Sequence, residues 1–434
     1  MIKLSFSGKG MFFAAFLAAV LSGCAPSSKT KENKIVIWHW MVDRQSAFTE
    51  LAKEYESQTG TKVEFKLFFP PDIYSQKVIA AARANTLPDI FGILGEKKMS
   101  ASFIKSGHIL NMTPYMEAKG GKWKNRFNPQ ALKVNVFSDN NPYGVPGGIY
   151  GVPIDTTVLN FVYNRELFKK AGLDPDNPPR TLDEFISDAG IVKDKLGVDG
   201  FVCGWGEGWL LNALATEWAI NLMGEDKFLK TIKGGVSYTD KDWVKVFSFF
   251  SRLKDSGILA SGIATMTNKE AEDAFSKNKA VFSFNGTWAV NVYAQLNPGL
   301  DYAFFPLPKV SDKFPVKIWG GAGSSFMVNS GSSQKDKAVA FLKWLTAEKQ
   351  QIFLIDKTRN LPAIKGCSGH LPGVLKAATE TFGSLTHPDV WPQNEDSQVI
   401  EVINRGLQQI IMGIKKPAEA AEDIQKTKER VSRK

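Results

Sequence analysis

The hydrophobic positions of this chain alternate between unbroken apolar runs and helical spacing from residue 34 onward. Residues 35–38 form an apolar run typical of a strand buried on both faces of a parallel sheet, and Gly60 stands at the C-cap position behind a helical pattern. The pattern predicts helices at 46–58 and 73–85, and strands at 35–38, 63–69 and 89–94. This order predicts an α/β fold with a parallel sheet covered on both faces.

The remainder of the chain continues with more helices than strands. Residues 161–163 predict a strand that leads into a short helix ended by Gly172, and Thr181 and Glu184 have the spacing of a capping box. Further helices are predicted near residues 350, 374 and 399, and at 210–223, 241–255, 268–277, 335–346 and 417–431. Candidates for crossings between two domains are the Pro- and Gly-rich residues 140–153 and residues 302–308.

The first 24 residues have the pattern of an export signal. Two lysines precede an apolar core at 11–21, which is shorter than the roughly 20 residues that a membrane-spanning helix needs. Cys24 follows Leu-Ser-Gly and so resembles the acylated cysteine of a bacterial lipobox; an ordinary signal peptide with a chance cysteine is the alternative. We therefore expect a signal peptide at 1–23, a flexible spacer at 24–33 lipidated at Cys24, and attachment to the extracytoplasmic face of the cell membrane.

Composition and charge narrow the possible partners. The formal net charge is +10, and removal of the signal peptide with its two lysines leaves +8. The lysines are scattered rather than gathered in an aromatic-interleaved stripe, which predicts a solvated surface and no nucleic-acid partner. Cys203 and Cys367 allow one disulfide but do not require it, since two buried thiols are an equal alternative.

Sequence motifs of catalytic and metal sites are missing. The chain has no phosphate-binding P-loop, no nucleophile elbow and no His-Glu-x-x-His helix, and its four histidines have no metal-ligand spacing. The glycine-rich residues 204–209 lack the strand-to-helix context of a nucleotide loop. We therefore predict no enzyme, no metal and no cofactor. Glu207 and Asp155 leave a glycosidase carboxylate pair open, because the sequence does not give their separation.

Six tryptophans lie in loops or at strand ends instead of at helical spacing: Trp40, Trp205, Trp209, Trp288, Trp319 and Trp391. Indole faces pack against the apolar C–H face of a pyranose, and loops on a rigid α/β scaffold often bind ligands. Polar side chains suited to sugar hydroxyls accompany them, namely Asp43, Arg44, Glu96, Asp155, Glu207, Asn285 and Arg359. The combination predicts a carbohydrate-binding cleft. For each polar residue, the alternative is a structural role in a cap, a turn or a surface ion pair.

A series of short segments in a fixed order carries a family resemblance. The segments include Gly-Ile-Tyr-Gly-Val-Pro at 148–153, Leu-Asn-Phe-Val-Tyr-Asn at 159–164, Gly286-Thr-Trp288, and Leu361-Pro362. They resemble the extracellular solute-binding proteins of bacterial ABC sugar importers, the group that includes maltose-binding protein. The resemblance spans about residues 34 to 425, nearly all of the chain behind the expected signal peptide.

The resemblance implies a two-lobed, periplasmic-binding-protein-like α/β fold of type II, with discontinuous lobes joined by hinge crossings. Ligand would be held between the lobes at the carboxyl ends of strands and would close the hinge. Lobe 1 would comprise residues 34–153 and 306–335, and lobe 2 residues 154–305 and 336–434. The crossings would lie near residues 153–157, 302–306 and 330–343.

The resemblance also implies a function and a site. The protein would be a monomeric carbohydrate receptor that delivers a sugar, with an oligosaccharide favoured, to the transmembrane subunits of an ABC permease. Gly320 would join the aromatic and polar residues above in the binding site, and Trp288 would take the position of the family's stacking aromatic. Alternatives are a receptor for another solute such as glycerol-phosphate, which would need a Lys/Arg cluster, an exported glycoside-active enzyme, and an adhesin on the same fold.

Overall fold

The computed structural model describes residues 33–94, 97–386 and 395–433, and Lys34–Lys434 forms one compact unit. The predicted signal peptide, Cys24 with nearly all of the spacer, and the candidate site residues Glu96 and Trp391 lie outside the described residues. Within the described ranges, no helix is both long and apolar enough to cross a membrane.

The described part of the chain alternates short strands with longer helices. The strands are β1 Lys34–His39, β2 Lys62–Leu67, β3 Ile90–Phe91, β4 Val136–Phe137, β5 Gly148–Ile149, β6 Val152–Pro153, β7 Asp155–Asn164, β8 Asp199–Val202, β9 Ala280–Gly286, β10 Tyr302–Phe305, β11 Gly320–Ala322, β12 Ser325–Val328 and β13 Leu361–Pro362. The helices are α1 Gln45–Thr59, α2 Pro71–Arg83, α3 Lys97–Lys105, α4 Thr113–Gly121, α5 Pro129–Lys133, α6 Arg165–Lys170, α7 Leu182–Leu196, α8 Trp209–Met223, α9 Glu225–Ile232, α10 Lys241–Asp255, α11 Asn268–Ser276, α12 Ala289–Leu296, α13 Lys335–Leu345, α14 Glu348–Thr358, α15 Gly373–Glu380, α16 Ser397–Ile411 and α17 Pro417–Ser432.

One sheet contains five strands in the order β2-β1-β3-β12-β6. β1 is parallel to β2 and to β3, whereas β12 is antiparallel to β3 and to β6. The sheet is therefore mixed and not wholly parallel as predicted, because β12 runs opposite to both of its neighbours. Burial alternates along β1, with Ile35 and Ile37 on the fully buried side, so the apolar run does not mark burial on both faces.

A second sheet is built around β7, all of whose residues are buried. Its strand order is β10-β7-β9-β8, and β11 and β13 also pair with β7. β8 is parallel to β9, and β7 is antiparallel to β9. The sequence pattern predicts only residues 161–163 of this strand, because the buried polar residues from Asp155 to Asn160 interrupt the apolar run.

Several local predictions are confirmed. α1 ends where Gly60 adopts a left-handed φ of 69°, a conformation that favours glycine. Thr181 and Glu184 form the reciprocal hydrogen bonds of a capping box at the start of α7. The third predicted strand is shorter than expected, since the chain leaves the sheet at Gly92.

The chain passes between the two sheets at positions that differ in part from the prediction. β6 belongs to the first sheet and β7 to the second, so the first crossing is at Ile154, within the predicted 153–157. The return lies at Gly323 and Ser324, between β11 and β12. It does not lie at 302–306, because β10 pairs with β7 inside the second sheet.

The helices after β12 also differ from the predicted lobe assignment. α13 and α14 place Phe341, Leu342 and Ile355 in the same core as Ile35 and Ile37 of the first sheet, so no change of sheet occurs within 330–343. We therefore propose that lobe 2 includes the chain up to residue 322 and that α13 and α14 belong to lobe 1. The remaining lobe boundaries stay predictions.

Candidate functional site

The candidate residues follow the carboxyl ends of parallel strands in both sheets. In the first sheet, β1 and β3 are parallel neighbours, and Trp40, Asp43 and Gly92 come after their ends. In the second sheet, β8 and β9 are parallel neighbours, and residues 203–209 and Trp288 come after theirs. Open α/β sheets bind ligands at this edge, so the strand arrangement indicates that these four loops form the candidate binding site.

Two tryptophans form an aromatic wall at the second sheet. Trp209 begins α8, Trp288 directly precedes α12, and their ring centroids lie 5.8 Å apart with the planes inclined by 47°. Both side chains are partly buried. A Cβ on Gly286 would lie 1.8 Å from the ring of Trp288, so only glycine lets the indole lie across the chain at this point.

Glu207 supports the first of these indoles. Its Oε2 accepts a hydrogen bond of 3.2 Å from Trp209 Nε1, and its Oε1 accepts one of 2.8 Å from the backbone N–H of Asn268. The carboxylate therefore joins the loop after β8 to the start of α11. The sequence predicts a ligand contact for Glu207. The structure shows that this residue braces Trp209.

Glu272 on α11 supports the second indole. Its Oε1 accepts hydrogen bonds from Asn268 Nδ2 at 2.8 Å, Asn285 Nδ2 at 3.1 Å and Trp288 Nε1 at 3.1 Å. Burial raises the pKa of the Glu272 carboxyl to about 7, and the hydrogen bonds from Asn285 and Trp288 oppose that rise. The sequence patterns do not single out Glu272. A carboxylate between Ala271 and Phe275, on the buried face of a predicted helix, is the signal that could have found it.

A buried ionic cluster joins the end of β1 to the start of β7. The guanidinium of Arg44 forms an ion pair with Asp155 and donates a 3.1 Å hydrogen bond from Nη2 to Asn360 Oδ1. Arg44 Nε also lies 3.5 Å from Asp43 Oδ2. Burial acts to lower the pKa of Arg44, but Asp155 and Asp43 outweigh it and raise that pKa, so Arg44 stays charged. The cluster pairs one guanidinium with two carboxylates and links the loop after β1 to the start of β7.

The ionic cluster is close enough to the aromatic wall to affect it electrostatically. Asp43 contributes to the raised pKa of Glu272, and the side chain of Asn291 on α12 donates a 3.1 Å hydrogen bond to the carbonyl oxygen of Asp43. Asp43, in the loop after β1 of the first sheet, therefore lies near Glu272 and α12, which adjoin the aromatic wall of the second sheet. The site is acidic, since Asp43, Glu207 and Glu272 lie together and Arg44 is already paired with Asp155.

Trp40 provides an aromatic surface at the edge of the first sheet. Its ring lies against the backbone of Gly92, where a Cβ would come within 2.3 Å of the indole. The ring of Tyr74 lies 5.1 Å away, centroid to centroid, and the Tyr74 hydroxyl donates to the carbonyl oxygen of Gly92 at 2.9 Å. Trp40 is partly buried and occupies the predicted position after β1.

Residues 39–352 match the family described as bacterial extracellular solute-binding protein. The chain belongs to this family.

Two curated relatives of this solute-binding protein are similar to it along most of their length. The multiple sugar-binding protein of Streptococcus mutans is 25% identical over 366 residues, which cover 80% of each chain. The melibiose/raffinose/stachyose-binding protein MelE of Bacillus subtilis is 23% identical over 348 residues, 77% of this chain and 76% of the relative.

A solved structure supports the fold of this solute-binding protein. The chitin oligosaccharide binding protein superposes with a TM-score of 0.75 at 24% identity, covering 92% of this chain and 99% of that one. The two-lobed α/β fold of type II predicted from the sequence is therefore confirmed.

Two predicted stacking residues belong to the core of the second sheet. Trp205 is fully buried against Phe201 and Phe250, and Trp319 is 6% exposed within the same core. Both indoles therefore pack in the core, and their contact with a sugar stays a prediction. Their loop and strand-end positions in the sequence do not reveal that the indoles turn inward.

The other predicted residues have mixed outcomes. Asn285 is buried and bonded to Glu272, and Gly320 lies in β11, where a Cβ would approach the carbonyl oxygen of Thr157 to 2.6 Å. Arg359 is exposed at the C-cap of α14 with a φ of 47°. Ligand contact stays a prediction for all of the predicted site residues, including Arg359 and, outside the described residues, Glu96 and Trp391.

The described cysteines form no disulfide. Cys203 and Cys367 are both buried and unpaired, which decides between the two possibilities left open by their number. Among the residues that the structure describes, no group of His, Cys, Asp and Glu side chains could hold a metal ion.

Proposed function

We propose that this protein is a carbohydrate receptor of an ABC importer, which captures a sugar or oligosaccharide between its lobes and delivers it to a membrane permease. The observation that carries the proposal is the Trp209–Trp288 wall, braced by Glu207 and Glu272 at the ligand-binding edge of the second sheet. Membership of the solute-binding family and the sugars named for the two relatives support it.

The chemistry of the wall suits an uncharged sugar. Two inclined indoles present apolar faces to pyranose C–H groups, while carboxylate and amide oxygens nearby can accept hydrogen bonds from hydroxyls. Trp40, at the edge of the first sheet, supplies a further aromatic surface. Several aromatic surfaces in one site favour an oligosaccharide over a monosaccharide.

The electrostatics of the site disfavour the glycerol-phosphate alternative. A phosphate ligand requires cationic partners, whereas the groups gathered here are Asp43, Glu207 and Glu272. Arg44 is buried and paired with Asp155. The site therefore fits a neutral ligand better than an anionic one.

The arrangement of the carboxylates also disfavours the glycosidase alternative. Asp155 is buried and ion-paired with Arg44, and both oxygens of Glu207 accept hydrogen bonds from the protein. A glycosidase needs two carboxyl groups that face one glycosidic bond. Glu207 and Asp155 do not fit that requirement.

We further propose that Cys24 is lipidated and becomes the new N-terminus when residues 1–23 are removed, and that residues 24–33 tether the receptor to the extracytoplasmic face of the cell membrane. A tether keeps the receptor beside its permease while the lobes move, and more than one acyl chain makes such an anchor stable. Replacing Cys24 by Ser should abolish the incorporation of labelled palmitate into the protein. Incorporation that persists in the variant would overturn the anchor.

Thermal-shift measurements with raffinose, stachyose and chitin oligosaccharides, followed by chromatography of any sugar that binds, test the receptor function. A ligand at 100 times its Kd should stabilise the protein by about 2.7 kcal/mol and should be recovered intact. Trp288→Ala should abolish the thermal shift caused by the sugar. The matched control is Trp344→Ala, because Trp344 lies on α13 and packs against Tyr55 and Phe341. This control should lower the stability of the protein and keep the thermal shift. Cleavage of the sugar, or no shift with any carbohydrate, would contradict the proposal.

A further inference from the structure

We propose that Glu272 is a positioning residue of the sugar site, which holds Trp288, Asn285 and Asn268 as one rigid wall through a single carboxylate oxygen. The inference rests on the proposed carbohydrate function, but the wall itself can be tested without a sugar. Its basis is that Oε1 of Glu272 accepts a hydrogen bond from each of these three side chains. The three donors come from α11, from the end of β9 and from the start of α12.

The hydrogen bond to Trp288 restricts the orientation of the indole. Indole has one N–H donor and no acceptor, so a bond from Nε1 to Glu272 Oε1 at 3.1 Å selects one rotation of the ring. The acceptor belongs to an ionisable carboxyl, and hydrogen bonds to a charged group are stronger than those between neutral groups. In this orientation the indole of Trp288 lies 5.8 Å from that of Trp209.

Asn268 links the two halves of the wall. Its side chain donates to Glu272 Oε1 at 2.8 Å, and its backbone N–H donates to Glu207 Oε1 at 2.8 Å. Glu207 in turn accepts from Trp209 Nε1. Each indole therefore has its own carboxylate, and loss of Glu272 should release Trp288 while Trp209 keeps its bond to Glu207.

Other contacts hold Asn285 in the orientation that Glu272 uses. Asn285 is fully buried, and its Oδ1 accepts a 2.8 Å hydrogen bond from the backbone N–H of Gly286. That bond leaves Nδ2 directed at Glu272 Oε1. The Glu272 carboxylate thus accepts hydrogen bonds from Asn285, which is already held at the end of β9, and from Trp288. This arrangement suits a positioning role and not a catalytic one.

The charge of Glu272 is sensitive to its surroundings. Asp43 faces it from the loop after β1 and raises its pKa. Glu207 from the loop after β8, Cys203 at the end of β8 and Tyr293 of α12 are the other titratable groups with which it shares this environment. Because burial raises the Glu272 pKa to about 7, its charge changes near neutral pH. Protonation removes the negative charge that favours three donors at Oε1, so the wall should loosen as the pH falls below about 7.

A spectroscopic experiment tests the positioning role in the sugar-free protein. The difference in circular dichroism between wild type and Trp288→Phe isolates the coupling of the two neighbouring indoles. This signal should be lost in Glu272→Ala and only partly retained in Glu272→Gln, whose neutral amide oxygen accepts hydrogen bonds more weakly than a carboxylate, as the protonated carboxyl does. It should titrate near pH 7 in wild type and become independent of pH in Glu272→Gln. Asp273→Asn, on the same helix and paired with Lys277 at the surface, is the matched control and should leave the signal unchanged.

A binding measurement then connects the wall to the ligand. With whichever of raffinose, stachyose or chitin oligosaccharide binds the wild type, Glu272→Ala should weaken affinity by at least about 10-fold, the effect of losing hydrogen bonds to a charged group. Glu272→Gln should restore part of the affinity. An indole signal unchanged in Glu272→Ala, with the fold intact by far-ultraviolet circular dichroism, would overturn the inference. If none of the sugars binds, the receptor function fails, while the spectroscopic result still decides the role of Glu272.

Discussion

The positions of individual side chains in the site depend more on the residues around them than on their own conformational preferences. Gly286 illustrates this, because its role is to have no side chain where the ring of Trp288 crosses the chain. Gly92 makes the same space for Trp40 in the other sheet. Two aromatic surfaces therefore depend on two glycines, each at or just beyond the end of a strand.

Gly286→Ala should displace Trp288 without unfolding the protein. The new Cβ would lie 1.8 Å from the present ring position, and overpacking of this kind costs about 1–3 kcal/mol. We expect sugar affinity to fall on the order of 10-fold or more, measured by calorimetry. The control is Gly190→Ala within α7, where a Cβ meets nothing within 4 Å and alanine favours the helix. Equal affinity in both variants would show that Trp288 is not part of the site.

At the scale of secondary structure, α11 is the element that organises the site. Its capping box, formed by Thr267 and Glu270, fixes the first turn, which carries Asn268. Glu272 lies one turn further along the same helix. α7 begins with the same box, formed by Thr181 and Glu184, but Thr181 lies away from the aromatic wall and contacts none of its residues in the described hydrogen bonds.

The two capping boxes allow a matched comparison. Thr267→Ala and Thr181→Ala each remove an N-cap side chain that accepts a 3.2 Å hydrogen bond, and each should lower the free energy of unfolding by about 1 kcal/mol. Only Thr267→Ala should also weaken sugar binding, because fraying of α11 disturbs Asn268 and Glu272. Denaturant unfolding and calorimetry measure the two effects. The importance of α11 would be refuted by equal losses of affinity in the two variants.

At the scale of the whole molecule, ion pairs join the parts of the chain built around the two sheets. Lys98 on α3, whose neighbours Phe103 and Ile104 pack near the first sheet, lies 2.7 Å from Asp396. Asp396 caps α16, which packs in the core of the second sheet. Burial acts to raise the pKa of Asp396, but hydrogen bonds from Lys98 and the Gln398 N–H outweigh it and lower that pKa. The pair should therefore persist at neutral pH and be lost as the pH falls through the lowered value.

Lys98→Ala should shift the protein toward a more open arrangement of its lobes. Lys98 is exposed, and exposed pairs contribute about 0.2–1 kcal/mol, so affinity for sugar should fall by no more than about 5-fold. Small-angle scattering should show a larger radius of gyration before sugar is added. Lys124→Ala, which breaks a surface pair with Glu117 beside the same lobe, should change neither quantity. A radius of gyration unaffected by Lys98→Ala would show that this pair does not hold the lobes together.

The accuracy of the sequence-based predictions follows the range of the interactions involved. Helices with caps, such as α1 before Gly60 and α7 behind Thr181, were predictable because a few neighbouring residues determine their ends. β7 was only partly predictable, since its buried polar residues contact strands and helices that are distant in sequence. For the same reason the sequence places Trp209 and Trp288 at the carboxyl ends of strands, where the structure has them partly buried, but gives no sign that the indole of Trp205 lies in the core. Sugar contact stays a prediction for all three.

The sequence by itself determined the α/β class, the main helices and the family, because periodicity, caps and ordered short segments are local properties of the chain. Only the tertiary structure decided that Arg44 forms ion pairs with Asp43 and Asp155. It also decided that the return crossing lies at Gly323 and Ser324, and that Glu272 supports Trp288. These facts depend on which distant segments meet. A hydrogen bond between residues 16 positions apart, as between Glu272 and Trp288, leaves no periodic pattern in the sequence, because the fold and not the chain brings its two atoms together.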